Sequence, residues 1–169
     1  MKQTLVTLVM ICGVISSCKD GNFKKGADSL RYKIVANGEE KEKGKKPVQG
    51  EWLKIHVVQR YNDSLLSDTH TTEAQYIQYD SASMSKESYS IFGKAHMGDS
   101  LIFRVSSDSA FKNRKPAFVK NNNGFLVTYV KIENIFLTRE EAMADADSSR
   151  NNNSKLQPKE EQQSEYPGR

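Results

Sequence analysis

The longest apolar run, Gly124–Leu137 (GFLVTYVKIENIFL), does most to restrict what this chain can fold into. Rich in β-branched and aromatic side chains, it reads as a central strand paired along both edges. Two further runs alternate cleanly. Glu51–Tyr61 sets Leu53, Ile55 and Val57 against Lys54 and His56, and Asp99–Ser106 spaces Leu101, Phe103 and Val105 at every second position. Such alternation is the mark of a strand with one face in the core. Leu30–Ala36, with Tyr32 and Ile34 on one face, reads as an edge strand, and Ala74–Tyr79 as a short one. Between them, Ser83–Ala95 carries a rough helical stripe of Met84, Ile91, Phe92 and Ala95, diluted by serines and Gly93. Five strands around one short helix define an α+β domain over 29–137.

The flanks differ in kind. Lys2 is followed by the apolar run Leu5–Ile15, too short for a permanent membrane span and of the right length for a signal-peptide core. Ile15-Ser16-Ser17-Cys18 resembles a bacterial lipobox, which implies removal of 1–17 and lipidation of Cys18; an ordinary secretory signal is the alternative. Residues 18–28 read as a flexible tether. At the other end, Thr138 with Glu141 three residues later is a capping box and predicts a short helix over 138–147. Residues 148–169 have almost nothing apolar to bury and are expected to be disordered.

Composition excludes several function classes. The chain has 25 basic and 21 acidic side chains, a small excess of mixed pattern, and its densest charge run, Glu39–Lys46, has no aromatic residue for base stacking. Nucleic acid is therefore not an expected partner. Cys12 leaves with the signal and Cys18 is taken by lipid, so no thiol remains for a disulfide, a zinc–thiolate site or a nucleophile. His56, His70 and His96 fall at no metal-ligand spacing. No metal and no cofactor are expected.

The order of elements, together with three short motifs, resembles the FKBP-type peptidyl-prolyl isomerases. Gly50–Val58 (GEWLKIHVV) resembles that family's G-x-x-V-x-V-H-Y strand, with Asp68 falling at the aspartate of its F-D-S motif after a turn at Asn62-Asp63-Ser64. Lys94–Leu101 (KAHMGDSL) resembles the G-M-x-x-G-D turn. Asp108–Phe111, then Pro116 and Phe125–Ile132, resembles the flap and last strand. The wording is also similar to divergent FKBP-like lipoproteins of the Bacteroidetes. The resemblance spans about 32–135 and implies a curved antiparallel sheet wrapped around one short helix.

It also implies a site. In that family an aromatic pocket holds the proline ring and a flap hydroxyl grips a carbonyl, easing rotation about a bond whose barrier is about 18–20 kcal/mol. Aligned positions in this chain are Val57, Ser67, Ser88, Phe111 and Thr128, with Asp68 retained outright. Asp68 and Phe111 are thus the candidate catalytic residues, and Val57, Ser67, Thr128, Tyr89 and Phe92 the candidate substrate-binding ones. The last two enter if a register slip puts Tyr89 or Phe92 in the helix position in place of Ser88. An ordinary turn carboxylate is the other reading of Asp68.

The resulting expectation is a lipoprotein of the bacterial cell envelope, on the periplasmic side of the outer membrane or the cell surface. Its domain would act weakly as a prolyl isomerase on envelope polypeptides. The alternatives are a non-catalytic chaperone-like or assembly module, and one subunit of a larger envelope complex. Asp-Ser-apolar triplets recur at Asp28, Asp63, Asp80, Asp99 and Asp108, all at predicted element boundaries. They read as turn formers, with O-glycosylation sites of that phylum as the alternative.

Overall fold

A computed structural model of the chain describes residues 22–27, 29–37, 44–112, 114, 116–119 and 124–156. The signal segment, Cys18, the start of the tether and everything from residue 157 lie outside them. Seven strands are present among the described residues: β1 (Lys24–Lys25), β2 (Arg31–Val35), β3 (Trp52–Tyr61), β4 (Ser64–Asp68), β5 (Gln75–Gln78), β6 (Ser100–Ser106) and β7 (Phe125–Phe136). They form one antiparallel sheet in the order β1-β2-β6-β7-β3-β4, with β5 also on β3. β7 is the central strand, paired to β6 and β3 along its length, as the apolar run predicts.

The far edge of β3 is shared. β5 pairs with Trp52–Ile55 and β4 with Val58–Tyr61. Two bulges shape the sheet: Leu66 is the extra residue of β4 between Gln59 and Arg60, and Glu133 is the extra residue of β7 beside Lys54 and Ile55.

Helix α1 (Lys86–Phe92) lies on the inner face. Its Ser85 N-cap accepts from the Ser88 N–H, but seven residues are too few to hold a helix alone. Burial of Ile91 and Phe92 against Leu53, Ile55, Leu101, Val130, Ile132 and Ile135 holds it in place. Each such side chain fully removed from water contributes roughly 1.5–3 kcal/mol. At Gly93 a Cβ would stand 2.3 Å from the Tyr79 hydroxyl, so only glycine lets the helix end pack there.

The KAHMGDS turn is built around Asp99, which is 2 % exposed. Its Oδ2 accepts from the His96 N–H at 2.9 Å and its Oδ1 from the Asn37 N–H at 3.0 Å. Gly98 turns the chain at φ +92°, in the region that favours glycine.

Several boundaries differ from those read off the sequence. The tether contributes β1, so β2 is not an edge strand. The turn expected at Asn62-Asp63-Ser64 is confined to Asn62 and Asp63, with Ser64 opening strand β4, and Ser107–Phe111 forms a short helix, α2, with Ser106 as its N-cap. The last helix, α3 (Arg139–Leu156), continues past Asp147 through residues expected to be disordered. It is polar almost throughout, and the sheet holds it. Ala142 and Ala146 are buried, Lys54 pairs with Asp145 at 3.0 Å, and Arg150 with Glu73 at 3.0 Å. Lys54 alternates with buried Leu53 and Ile55, so α3 lies on the outer face, opposite α1.

Candidate functional site

The alternation that buries Leu53, Ile55, Leu101 and Val130 also sets which side chains continue the inner face beyond α1. On β7 that is Thr128, which pairs with Phe103 on β6 and Gln59 on β3. Val57 lies opposite Val130 and packs on the core as a half-buried side chain. Ser67 pairs with Gln59 at the exposed sheet margin. Ser88 is tied to the start of α1, where its hydroxyl accepts from Ser85 at 2.8 Å.

Rings on this side pack on one another. Phe92 stacks over Phe103 with centroids 6.2 Å apart. Tyr89 lies flat on Tyr79 at 4.3 Å with the planes 4° apart, and the Tyr79 hydroxyl donates to the Tyr89 carbonyl at 3.1 Å. Burial and that hydrogen bond push the Tyr79 hydroxyl up to about 12, so it stays a donor at any physiological pH. Phe111 meets Tyr61 edge-on at 6.2 Å and Phe118 at 5.9 Å, and Tyr61 meets Phe118 at 5.8 Å. Tyr61, Tyr79, Phe103 and Phe118 were not among the sequence candidates. Only Phe103 carried a signal, as the middle residue of an alternating strand.

Asp68 is elsewhere. It pairs with Val58, whose side chain alternates with inner-face Val57, so Asp68 belongs to the outer face. There its Oδ1 accepts from the His70 backbone N–H at 2.8 Å and ring Nδ1 at 2.9 Å. These bonds, the backbone one first, hold its carboxyl below the usual range. The His70 ring stacks on His56 at 4.3 Å, and His56 Nε2 lies 3.2 Å from Glu133. The two candidate catalytic residues are therefore not brought together: Phe111 packs among inner-side rings, and Asp68 serves a turn on the other face. Of the binding candidates, Tyr89, Phe92 and Thr128 share the inner side with Val57.

A seven-stranded antiparallel sheet with a short helix packed on one face is consistent with an FKBP-like α+β fold. The crystal structure of FkpA from Escherichia coli matches with a TM-score of 0.50 at 15% identity. The match covers 70% of this chain and 54% of that one, so this chain corresponds to about half of FkpA. A peptidyl-prolyl cis-trans isomerase from Pseudomonas syringae pv. tomato is also similar, with TM-score 0.48 and 17% identity, over 70% of this chain and 84% of that one. No protein-family profile matches the sequence, and no curated protein does.

Proposed function

We propose that this chain is a cell-envelope lipoprotein whose FKBP-like domain holds extended, proline-containing segments of envelope polypeptides on its inner face and isomerises them feebly. The observation that supports this reading is the placement of Asp68 and Phe111. The carboxylate faces away from the inner side and is occupied by His70. The ring at the flap position has no hydroxyl to donate and is packed against Tyr61 and Phe118. A missing hydrogen bond in a desolvated site costs about 1–3 kcal/mol, and rings spent on each other give a proline ring little to stack on. A loss of about 4 kcal/mol amounts to about a thousandfold in rate. What remains is a surface of Phe103, Thr128, Gln59 and Phe118, suited to weak contact with an apolar segment.

Exchange spectroscopy on an X–Pro peptide tests the catalytic half. Exchange barely above the uncatalysed rate, with measurable binding of an unfolded proline-containing chain, is expected. Turnover at the level of an efficient prolyl isomerase would overturn it. The envelope half is tested by Cys18→Ala, which should abolish acyl labelling and release the chain from the membrane fraction.

A further inference from the structure

The outer face of the sheet is only partly covered by α3, which lies over the corner holding Lys54, Tyr76 and Trp52. On the remainder, cross-strand pairing lines up Lys25, Arg31, Arg104, Val127 and Arg60 as one row from β1 to β3. The next row is Lys33, Ile102, Tyr129 and Val58. Both rows alternate with buried Tyr32, Leu101 and Val130, so they face outward. Arg104 lies over the ring of Phe125, 3.7 Å from its centroid. A groove of about 550 Å³ runs here, lined among others by Phe23, Lys33, Ile102, Phe125 and Tyr129. Asp63 lines the groove, and Asp68, beside Val58, is held by His70. The face is cationic and aromatic, the chemistry of side chains that sit at an anionic membrane interface.

We propose that this face docks on a membrane through anionic lipid headgroups, turning α1 and the inner face away from the bilayer. The inference rests on the anchor proposed at Cys18. The five residues from Cys18 to Phe23 reach at most about 18 Å, and Phe23 itself lines the groove. An anchored domain therefore cannot swing this edge far from the headgroups, and it is the edge where the positive rows begin. Arginines and lysines supply charge attraction, while Phe23, Phe125 and Tyr129 supply rings for the interfacial layer. An acidic polypeptide would satisfy the charges too, but the short tether favours the lipid surface.

The test uses the lipidated full chain reconstituted in vesicles of phosphatidylcholine alone or with a quarter phosphatidylglycerol, footprinted with an amine-reactive label. Lys33 should be protected roughly fivefold or more on the anionic vesicles, and about 0.5 M salt should remove that protection. Lys86, on α1, should label equally on both. In the double variant Lys25→Glu/Arg60→Glu, Lys33 should label on anionic vesicles nearly as on neutral ones. If the chain sediments with both vesicle types while Lys33 labels equally, the anchor stands and the docking is wrong. If it sediments with neither, the anchor and the docking both fall. Protection of Lys33 by polyglutamate but not by anionic vesicles would make the partner an acidic polypeptide and overturn the membrane assignment.

Discussion

Asp68 Oδ1 accepts both the backbone N–H and the ring Nδ1–H of His70, at 2.8 and 2.9 Å, on the face of the sheet opposite α1. The pair closes the turn between β4 and β5, and Thr71 adds a hydroxyl bond to the Asp68 carbonyl at 2.9 Å. Asp68 is thereby a structural carboxylate.

It follows that Asp68→Asn should leave both peptide binding and the residual X–Pro exchange rate unchanged, whereas Thr128→Lys should abolish binding. Thr128 lies between Phe103 and Gln59 on the inner face, where a lysine would bring an ammonium among rings. Titration of a proline-containing peptide by NMR reads both. Loss of exchange in the Asp68 variant with Thr128→Lys unaffected would move the site to the outer face.

Asp99→Ala should be among the costliest polar substitutions. It orphans the N–H groups of His96 and Asn37, and a buried donor left unsatisfied costs about 1–3 kcal/mol. Urea unfolding should show a loss of at least about 2 kcal/mol, with part of it recovered in Asp99→Asn, which keeps one acceptor. A change within error would mean that the turn holds without its carboxylate.

Helix α3 should behave as part of the fold despite its polar sequence. Ala142 is 0 % exposed where α3 meets the sheet, so Ala142→Leu overpacks the contact and should destabilise by about 1–3 kcal/mol. The same change at exposed Ala144 should be neutral. Equal melting temperatures for the two variants would show that α3 does not pack there.

The Lys54–Asp145–Tyr76 cluster predicts a definite pH dependence. Burial works against the Asp145 charge, but hydrogen bonds from the Tyr76 hydroxyl (2.5 Å) and Lys54 outweigh it and hold the carboxyl below its ordinary 3.8. Burial likewise opposes the Lys54 charge, and Asp145 with Glu133 overcomes it, so its pKa rises above 10.5. A depressed carboxyl contributes stability above its unfolded value and loses it as pH falls through the folded one. A raised ammonium contributes below its unfolded value and loses it as pH climbs through the folded one. The pair therefore stabilises between about pH 4 and 10.5. Asp145→Asn should cost about 1 kcal/mol at neutral pH, and its urea midpoint should converge on the parent's below pH 3.8. A constant gap across that range would rule out the ionic contribution.

Local pattern was enough to read the core of this protein. The inward positions Leu53, Ile55 and Leu101 are visible as alternation, because a strand's two faces repeat every second residue whatever its neighbours do. The centrality of β7 follows from its length and apolar content, and the Met97-Gly98-Asp99 turn from a glycine that can take φ +92° beside a carboxylate that can satisfy backbone donors. Other features belong to the assembled sheet alone. Lys24–Lys25 and Ser64–Asp68 are strands because β2 and β3 offer open edges, a property of partners and not of any alternation in their own short sequences. Helix α3 continues beyond Asp147 because Lys54 and Tyr76 of the sheet, and Glu73 just before β5, engage it. The pairing of Tyr79 with Tyr89 and of Phe92 with Phe103 depends on distances that close only in three dimensions. Most consequential is Leu66. Paired in regular register with Gln59, it would set Asp68 against inward-facing Val57; bulged out, it leaves Asp68 against Val58, pointing the other way, because one residue of slip inverts every side chain beyond it.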